Sequence, residues 1–138
     1  MLNQKLENFS KKIKSKFLPN YNIKRLNWFN IGGNAKFYFN VESLEELAKF
    51  LKEFGNKTNI LVLGAGSNIL INDHLFDGVV IKLGKNFTNI SLMQNNIIVA
   101  GAAVSDKKLS DFALNNSIGG FEFLSCIPGT VGGGIKIN

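Results

Sequence analysis

Two glycine-rich segments, each preceded by an apolar run, constrain the fold of this chain more than any other feature. Glycine loop 1 (residues 64–68, Gly-Ala-Gly-Ser-Asn) directly follows the apolar run Ile60 to Leu63. Glycine loop 2 (residues 127–134, Ile-Pro-Gly-Thr-Val-Gly-Gly-Gly) contains four glycines. Glycine is costly in chain entropy, so such segments are typical of places where another group must approach the main chain. Consecutive N–H groups there can bind an anion, and we expect a phosphate or diphosphate.

Neither of the two best-known phosphate-binding motifs fits glycine loop 1. The dinucleotide fingerprint needs a third glycine where this chain has Ile69, and it needs a helix where Asn72-Asp73 and Asp77-Gly78 predict turns. A P-loop needs Gly-Lys-Ser or Gly-Lys-Thr, which the chain lacks. We therefore expect binding by main-chain N–H groups, without a helix dipole and without a lysine. The alternative is that Gly64 and Gly66 merely shape a tight turn.

Length and charge exclude some classes of protein. The chain has 138 residues, 45% of them apolar, which is enough for one globular domain. Its net charge of +6 lies entirely in residues 1–26, because the other nine basic residues are balanced by nine acidic ones. We therefore expect no nucleic-acid partner for the body of the domain. No apolar run has the length of a signal peptide or a membrane span, so we expect a soluble cytoplasmic protein without a membrane partner.

Few single residues suggest chemistry. Cys126 is the only cysteine, so no internal disulfide is possible, and with a single His74 we expect no metal site. The apolar neighbours of Cys126 predict a buried, unreactive thiol. We expect Arg25, the only arginine, to be a solvated surface charge and His74 to be a loop residue.

Residues 1–20 are predicted to form a basic amphipathic helix. Leu2, Leu6, Phe9, Ile13 and Phe17 recur at the spacing of one helical face, with lysines on the other side, and Pro19 ends the pattern. Such a helix either lies on an anionic membrane or packs on its own protein with a solvated outer face. We favour the packed helix, because the segment is short and its apolar face carries no Trp.

The remaining pattern predicts an α+β fold in one compact unit. Ser43 and Glu46 form a capping box for a helix over residues 44–54, whose apolar stripe is predicted to consist of Leu44, Leu47, Ala48, Leu51 and Phe54. Ser105 is predicted to cap a second helix. Predicted strands cover residues 35–41, 60–63, 79–83, 90–92, 97–100, 121–124 and 135–137, with 90–92 and 97–100 paired as a hairpin.

Five ordered motifs resemble those of the UDP-N-acetylenolpyruvoylglucosamine reductase family. They are residues 27–33 (Asn-Trp-Phe-Asn-Ile-Gly-Gly), 63–70 (Leu-Gly-Ala-Gly-Ser-Asn-Ile-Leu), 78–83 (Gly-Val-Val-Ile-Lys-Leu), 120–124 (Gly-Phe-Glu-Phe-Leu) and 127–133 (Ile-Pro-Gly-Thr-Val-Gly-Gly). The resemblance implies an FAD-binding domain of the vanillyl-alcohol-oxidase type over residues 21–138, with two small α+β subdomains. It also implies NADPH as hydride donor, a UDP-sugar as substrate of the complete enzyme, and a role in peptidoglycan synthesis.

The resemblance also assigns cofactor-binding residues. It implies that Gly64, Ala65, Gly66, Ser67, Asn68, Ile69 and Leu70 hold the FAD diphosphate, and that Gly101, Ala102, Ala103, Ile127, Gly129, Thr130, Val131, Gly132 and Gly133 line the rest of the cofactor. Trp28 stands where the family usually has Thr, Cys126 where it often has a small residue, and Gly134 lengthens the glycine run. Glu122 is interpreted either as a contact to flavin or ribose or as an exposed strand residue.

The family's pattern continues past Asn138 into a substrate-binding domain, which implies that the catalytic arginine, proton donor and glutamate lie outside this chain. We therefore expect no catalytic residue here and no turnover by the chain alone. Two other hypotheses stay open. One is a flavin-dependent oxidase of the same superfamily, with FAD attached to His74. The other is a non-enzymatic module that binds lipid or nucleic acid through the basic helix.

Overall fold

The computed structural model describes residues 1–137. Its helices are α1 (Leu2–Ser10), α2 (Leu44–Phe54), α3 (Asp106–Asn115) and α4 (Val131–Ile137). Its strands are β1 (Lys16–Asn22), β2 (Asn34–Val41), β3 (Asn59–Leu63), β4 (Phe76–Leu83), β5 (Ile90–Met93) and β6 (Ile97–Ala100). Helices and strands follow one another as the α+β prediction requires.

A four-stranded sheet with the order β1-β2-β4-β3 forms the centre of the domain. β1 runs antiparallel to β2, whereas β2, β4 and β3 run parallel to one another. The carboxyl ends of these three strands therefore meet at one edge of the sheet. Glycine loop 1 leaves this edge from the end of β3, where Leu63 is paired with Lys82 of β4.

One face of this sheet is covered by α1 and α2 through a cluster of phenylalanines. The fully or nearly fully buried members of the cluster are Leu6, Phe9, Phe17, Phe37, Phe39, Val41, Phe50, Phe54, Val79 and Ile81. Phe9 of α1 contacts the rings of Phe50 and Phe54 of α2 edge to face, with centroids 5.7 and 5.6 Å apart. Such ring geometry is favourable beyond the area that it buries. α1 is thus part of the core.

The opposite face of the sheet is covered by loops. Ile23, Ala35, Tyr38, Leu63 and Val80 form a second buried cluster, on which Ile69 and Ile71 pack. The segment that follows glycine loop 1 is therefore fixed to the sheet by its own apolar side chains. This packing gives an irregular segment a defined position without a helix.

The second part of the chain contains the hairpin β5-β6, α3, a 3₁₀ turn at Glu122–Cys126, and α4. The hairpin is antiparallel, with Met93 opposite Ile97 across the turn. α3 begins at Ser105, whose side chain accepts a hydrogen bond from the N–H of Lys108, as predicted. α3 packs against the 3₁₀ turn. Both predicted strands of the hairpin are confirmed.

The predicted helix over residues 1–20 is wrong beyond Ser10. α1 ends there, and residues 16–22 form an edge strand in which Phe17 pairs with Phe39. Strand pairing satisfies the backbone groups of this segment and still places Phe17 in the phenylalanine cluster. Pro19 is tolerated because edge strands can lack a ladder donor. The apolar residues that suggested one long helix therefore belong to a helix and a strand, which bury their side chains in the same core.

Two short strands predicted near the C-terminus are also wrong. Residues 122–126 form the 3₁₀ turn, in which Ser125 Oγ donates to the carbonyl oxygen of Glu122 at 2.7 Å. Residues 135–137 belong to α4. The hydroxyl of Thr130 accepts from the N–H of Gly133 at 3.3 Å, the side-chain pattern that starts helices.

The helix over residues 44–54 is confirmed, and its predicted apolar stripe is confirmed at Leu47 and Phe54 but wrong at Leu44, Ala48 and Leu51. Leu44 and Leu51 are exposed, and the buried face is formed by Phe50 and Phe54 with Leu47 beside them. Two phenylalanines bury more area than the two leucines, and this decides which face packs. Among residues 1–137, no helix is long and apolar enough to cross a membrane.

Candidate functional site

Glycine loop 1 turns at Gly66, a position that requires glycine. Gly66 has φ +69°, a left-handed conformation that side chains disfavour. A Cβ atom there would also overlap the carbonyl oxygen of Leu26 and lie 2.8 Å from Cα of Asn27. The carbonyl oxygen of Gly66 accepts a hydrogen bond from the N–H of Trp28 at 2.9 Å. Glycine loop 1 therefore packs directly on the backbone of residues 26–28.

Asn27 holds that supporting segment in shape. Its side chain is buried, and Nδ2 donates to the carbonyl oxygens of Ile31 at 2.7 Å and Lys24 at 3.2 Å. These bonds close a loop within residues 24–31. Asn27 belongs to the first of the five motifs, but its supporting role could not be predicted, because a side chain that bonds only to nearby backbone leaves no periodic signal in the sequence.

Glycine loop 2 contacts glycine loop 1. Ser67 Oγ donates to the carbonyl oxygen of Pro128. A Cβ atom added to Gly64 would lie 2.5 Å from Thr130 Oγ1 and 3.9 Å from Cα of Gly133. The missing side chain at Gly64 thus makes room for Thr130. The two loops are therefore in direct contact.

A third predicted segment, residues 101–103, lies against glycine loop 2. The N–H of Gly132 donates to the carbonyl oxygen of Ala102 at 2.9 Å, and the N–H of Val131 donates to that of Val104 at 2.9 Å. A Cβ atom on Gly132 would lie 2.9 Å from the carbonyl oxygen and the Cβ of Ala102. Three separate stretches of chain therefore meet with their backbones close together.

Other predicted site residues differ in exposure. Asn68 and Leu70 are exposed at the end of the first motif, and Ile127 is 47% exposed. The side chain of Ile69 packs on the sheet, so only its backbone remains for a ligand. Ile69 thus fixes the end of glycine loop 1 to the loop-covered face of the sheet.

Comparison with known proteins identifies the family of the domain. Residues 35–138 match the family described as FAD binding domain, which is about three quarters of the chain. The chain belongs to the FAD-binding domain family. FAD is the cofactor of that family, and the structure fits it: main-chain N–H groups of a glycine-rich turn can bind a diphosphate, and glycine loop 1 has such a turn at Gly66, with φ +69°.

This FAD-binding domain is similar to several UDP-N-acetylenolpyruvoylglucosamine reductases. It is 62% identical to that of Pelagibacter ubique over 135 residues, covering 98% of this chain and 45% of the relative. It is 44% identical to that of Rickettsia canadensis, covering 91% of this chain and 42% of the relative. The crystal structure of the reductase from Thermus caldophilus superposes with a TM-score of 0.67 at 28% identity, covering 86% of this chain and 40% of that one. The chain spans less than half the length of these relatives.

The FAD-binding domain contains a charged side chain at glycine loop 1 that was not predicted from the sequence. Lys82 Nζ donates to the carbonyl oxygen of Gly64 at 2.9 Å, so a lysine from β4 lies beside a loop that has no lysine of its own. Burial lowers the pKa of Lys82. The alternation of side chains between the two faces of β4 could have predicted this position. Val80 is buried on the loop-covered face, and Lys82, two residues later, shares that face.

Asp106 is the other buried charged residue near the loops. It is 5% exposed at the start of α3, and burial raises the pKa of its carboxyl. Its backbone N–H donates to the carbonyl oxygen of Gly129 at 3.3 Å. A Cβ atom on Gly129 would overlap Asp106 Oδ2. The carboxyl of Asp106 therefore lies directly behind the backbone of glycine loop 2.

The structure shows the positions of four residues with reactive or charged side chains. Cys126 is exposed, so the prediction of a buried thiol is wrong: its apolar neighbour Ile127 is itself 47% exposed and does not cover it. Arg25 is exposed and His74 lies in a loop, as predicted. Glu122 is exposed and accepts from the N–H of Gly120 at 2.9 Å, so it stabilises a turn. Within residues 1–137, no group of three or more His, Cys, Asp or Glu side chains is placed to hold a metal ion.

Proposed function

We propose that this chain is the FAD-binding part of a UDP-N-acetylenolpyruvoylglucosamine reductase. The contact between the two glycine loops is the observation that carries the proposal. Glycine loop 1 with the adjacent Ile69 and Leu70, and residues 127–133 of glycine loop 2, bind one extended ligand from two sides. Residues 101–103 extend the same binding surface. The reductases named above support the choice of enzyme, since they match the chain almost from end to end.

The ligand-binding roles are divided along the cofactor. N–H groups of glycine loop 1 bind the diphosphate, because a turn at φ +69° directs successive donors towards one anion. The rest of the cofactor is lined by residues 101–103, Ile127 and the glycines of glycine loop 2. Small residues are needed there so that the backbone can lie close to the cofactor. Bound FAD supplies hydride transfer, which the protein side chains cannot perform.

The reaction proposed for the whole protein is the NADPH-dependent reduction of the enolpyruvyl ether of a UDP-sugar to UDP-N-acetylmuramate, in the cytoplasm. The part described here supplies cofactor binding only. Arg25, His74 and Cys126 are exposed, and none of them is proposed as catalytic. We propose that substrate binding and proton transfer depend on chain that the longer relatives have in addition.

A chimaera tests this proposal. The chain replaces the matching 135 residues of the Pelagibacter ubique relative, and NADPH oxidation is measured with UDP-N-acetylglucosamine enolpyruvate. We expect a yellow protein that is active only with both substrates. The matched control carries Gly66→Val, which closes glycine loop 1, and should be colourless and inactive. An active control variant, or a folded chimaera that lacks flavin, would contradict the proposal.

The two other hypotheses receive no support from the structure. Leu6 and Phe9 of the basic helix are 1% and 7% exposed, so its apolar face is already occupied by the core and is not available to a membrane. His74 is exposed, and its backbone N–H donates to Asn72 Oδ1 at 2.9 Å within the loop. Mass spectrometry of the purified chain should accordingly find FAD released intact, without a flavin adduct on His74.

A further inference from the structure

Lys82 lies at the point where glycine loop 1 leaves the sheet. It is paired in register with Leu63, the last residue of β3, and its Nζ reaches the carbonyl oxygen of the next residue, Gly64. The strand pair fixes the backbone of Lys82, and the loop-covered face of the sheet receives its side chain. The ammonium group is therefore held beside the loop by the paired strands β3 and β4.

Within residues 1–137, the charge of Lys82 has no counter-ion. The ion pairs of the described chain join Lys36 to Asp77, Lys49 to Glu45 and Lys107 to Asp111, and none includes Lys82. An ammonium has three N–H donors, and one carbonyl oxygen accepts from it here. A partly buried cation without an anion is unfavourable, and the lowered pKa of Lys82 reflects that cost. The other lysines that approach acids do so at the surface.

A diphosphate at glycine loop 1 would supply the missing anion. Phosphate oxygens accept charge-assisted hydrogen bonds, which are shorter and stronger than neutral ones. The carbonyl oxygen of Gly64 would repel such an anion, and the hydrogen bond from Lys82 occupies that oxygen. The Lys82 side chain would thus reduce the repulsion between the Gly64 carbonyl and the diphosphate, and its positive charge would attract the diphosphate.

We propose that Lys82 binds the diphosphate of FAD through its ammonium group and at the same time holds the carbonyl of Gly64 in place. The inference rests on the proposed function, because the anion in question is that of the bound cofactor. It differs from the expectation for this loop, in which main-chain N–H groups act alone.

Fluorescence titration with FAD at low and high sodium chloride tests the role of the charge. Lys82→Met keeps the length of the side chain and removes the charge. We expect its Kd for FAD to rise at least about tenfold at low salt, which corresponds to about 1.4 kcal/mol, with a smaller difference at high salt. Lys82→Arg should retain most of the affinity and the salt dependence. Circular dichroism establishes that each variant is folded.

The control is Lys36→Met, on the neighbouring strand β2, whose ammonium pairs with Asp77 at 2.8 Å. Its affinity for FAD should equal that of the wild type at both salt concentrations. Equal FAD binding by the wild type and Lys82→Met, or a loss that salt does not change, would overturn the inference and leave the proposed function intact. Failure of the wild type itself to bind FAD would overturn both. If Lys82→Met does not fold, Lys82→Arg and Lys82→Gln provide the same comparison.

Discussion

At the scale of single residues, two glycines of the glycine loops differ in what surrounds them. Gly66 needs its positive φ and the space beside Leu26, whereas a Cβ atom on Gly134 would have no atom within 4 Å. Gly66→Ala should therefore destabilise the domain by about 2 kcal/mol or more, from backbone strain and overlap together. Denaturant unfolding measures the change.

The matched substitution Gly134→Ala lies in α4 and should stabilise the domain by about 0.5–1 kcal/mol, because alanine restricts the unfolded chain. Equal effects of the two substitutions would contradict the assignment of glycine loop 1 as a closely packed turn. Both glycines look alike in the sequence. The two glycines differ only in the atoms that surround them in the folded structure.

Glu46 illustrates how a predicted residue can act on an unpredicted partner. The Ser43 half of the predicted capping box is confirmed, but the carboxylate of Glu46 accepts from the backbone N–H groups of Lys14 at 2.7 Å and Ser15 at 3.1 Å. Burial alone raises the pKa of Glu46, and the hydrogen bonds from Ser15 and Lys14 outweigh it, so the pKa lies below its ordinary value. The helix is thereby tied to the segment before β1.

A lowered folded-state pKa means that Glu46 stabilises the fold above its ordinary pKa, and that this contribution disappears as the pH falls through the lowered value. Glu46→Gln should lower Tm by a few degrees at neutral pH and by less in acid. Glu45→Gln is the control, because Glu45 pairs only with Lys49 at the surface. A Tm difference that stays constant with pH would contradict this account.

At the scale of elements, α1 is a structural helix. Phe9 lies within 6.1 Å of four other phenylalanine rings, counted between centroids, and is 7% exposed. Phe9→Ala should destabilise the domain by about 3–5 kcal/mol. Phe29→Ala, which removes a 56% exposed ring, should change stability by less than about 0.5 kcal/mol. A folded Phe9→Ala protein of unchanged stability would reopen the membrane-helix hypothesis.

Elements with local signals could be predicted from the sequence, and elements that depend on partners could not. α2 and α3 each begin at a serine whose hydroxyl caps the helix, and both starts were predicted correctly. Residues 11–20 and 135–137 carry apolar residues that fit either a helix or a strand. Pairing of Phe17 with Phe39 decides the first case, and capping by Thr130 decides the second. Tertiary contacts override weak local preference in both.

At the scale of the whole molecule, the sequence predicted that the glycine loops bind one ligand but not how they are supported. Their spacing in the chain contains no information on the bond from Ser67 to Pro128 or on the support from Asn27. Lys82 was missed because a lysine within a strand resembles any surface lysine until its register with Leu63 is known. The site thus depends on parallel strand pairing, which is a long-range property.

The central claim is that glycine loops 1 and 2 form one FAD site. Its most direct test is fluorescence titration of the purified chain with FAD, comparing the wild type with Gly64→Val in the first loop and Gly132→Val in the second. We expect saturable binding by the wild type, at least about tenfold weaker binding by each valine variant, and unchanged binding by Gly134→Ala, since a Cβ atom meets Thr130, Ala102 and open space respectively. A wild type that does not bind FAD, or binding that is lost with one loop and unaffected by the other, would contradict the claim.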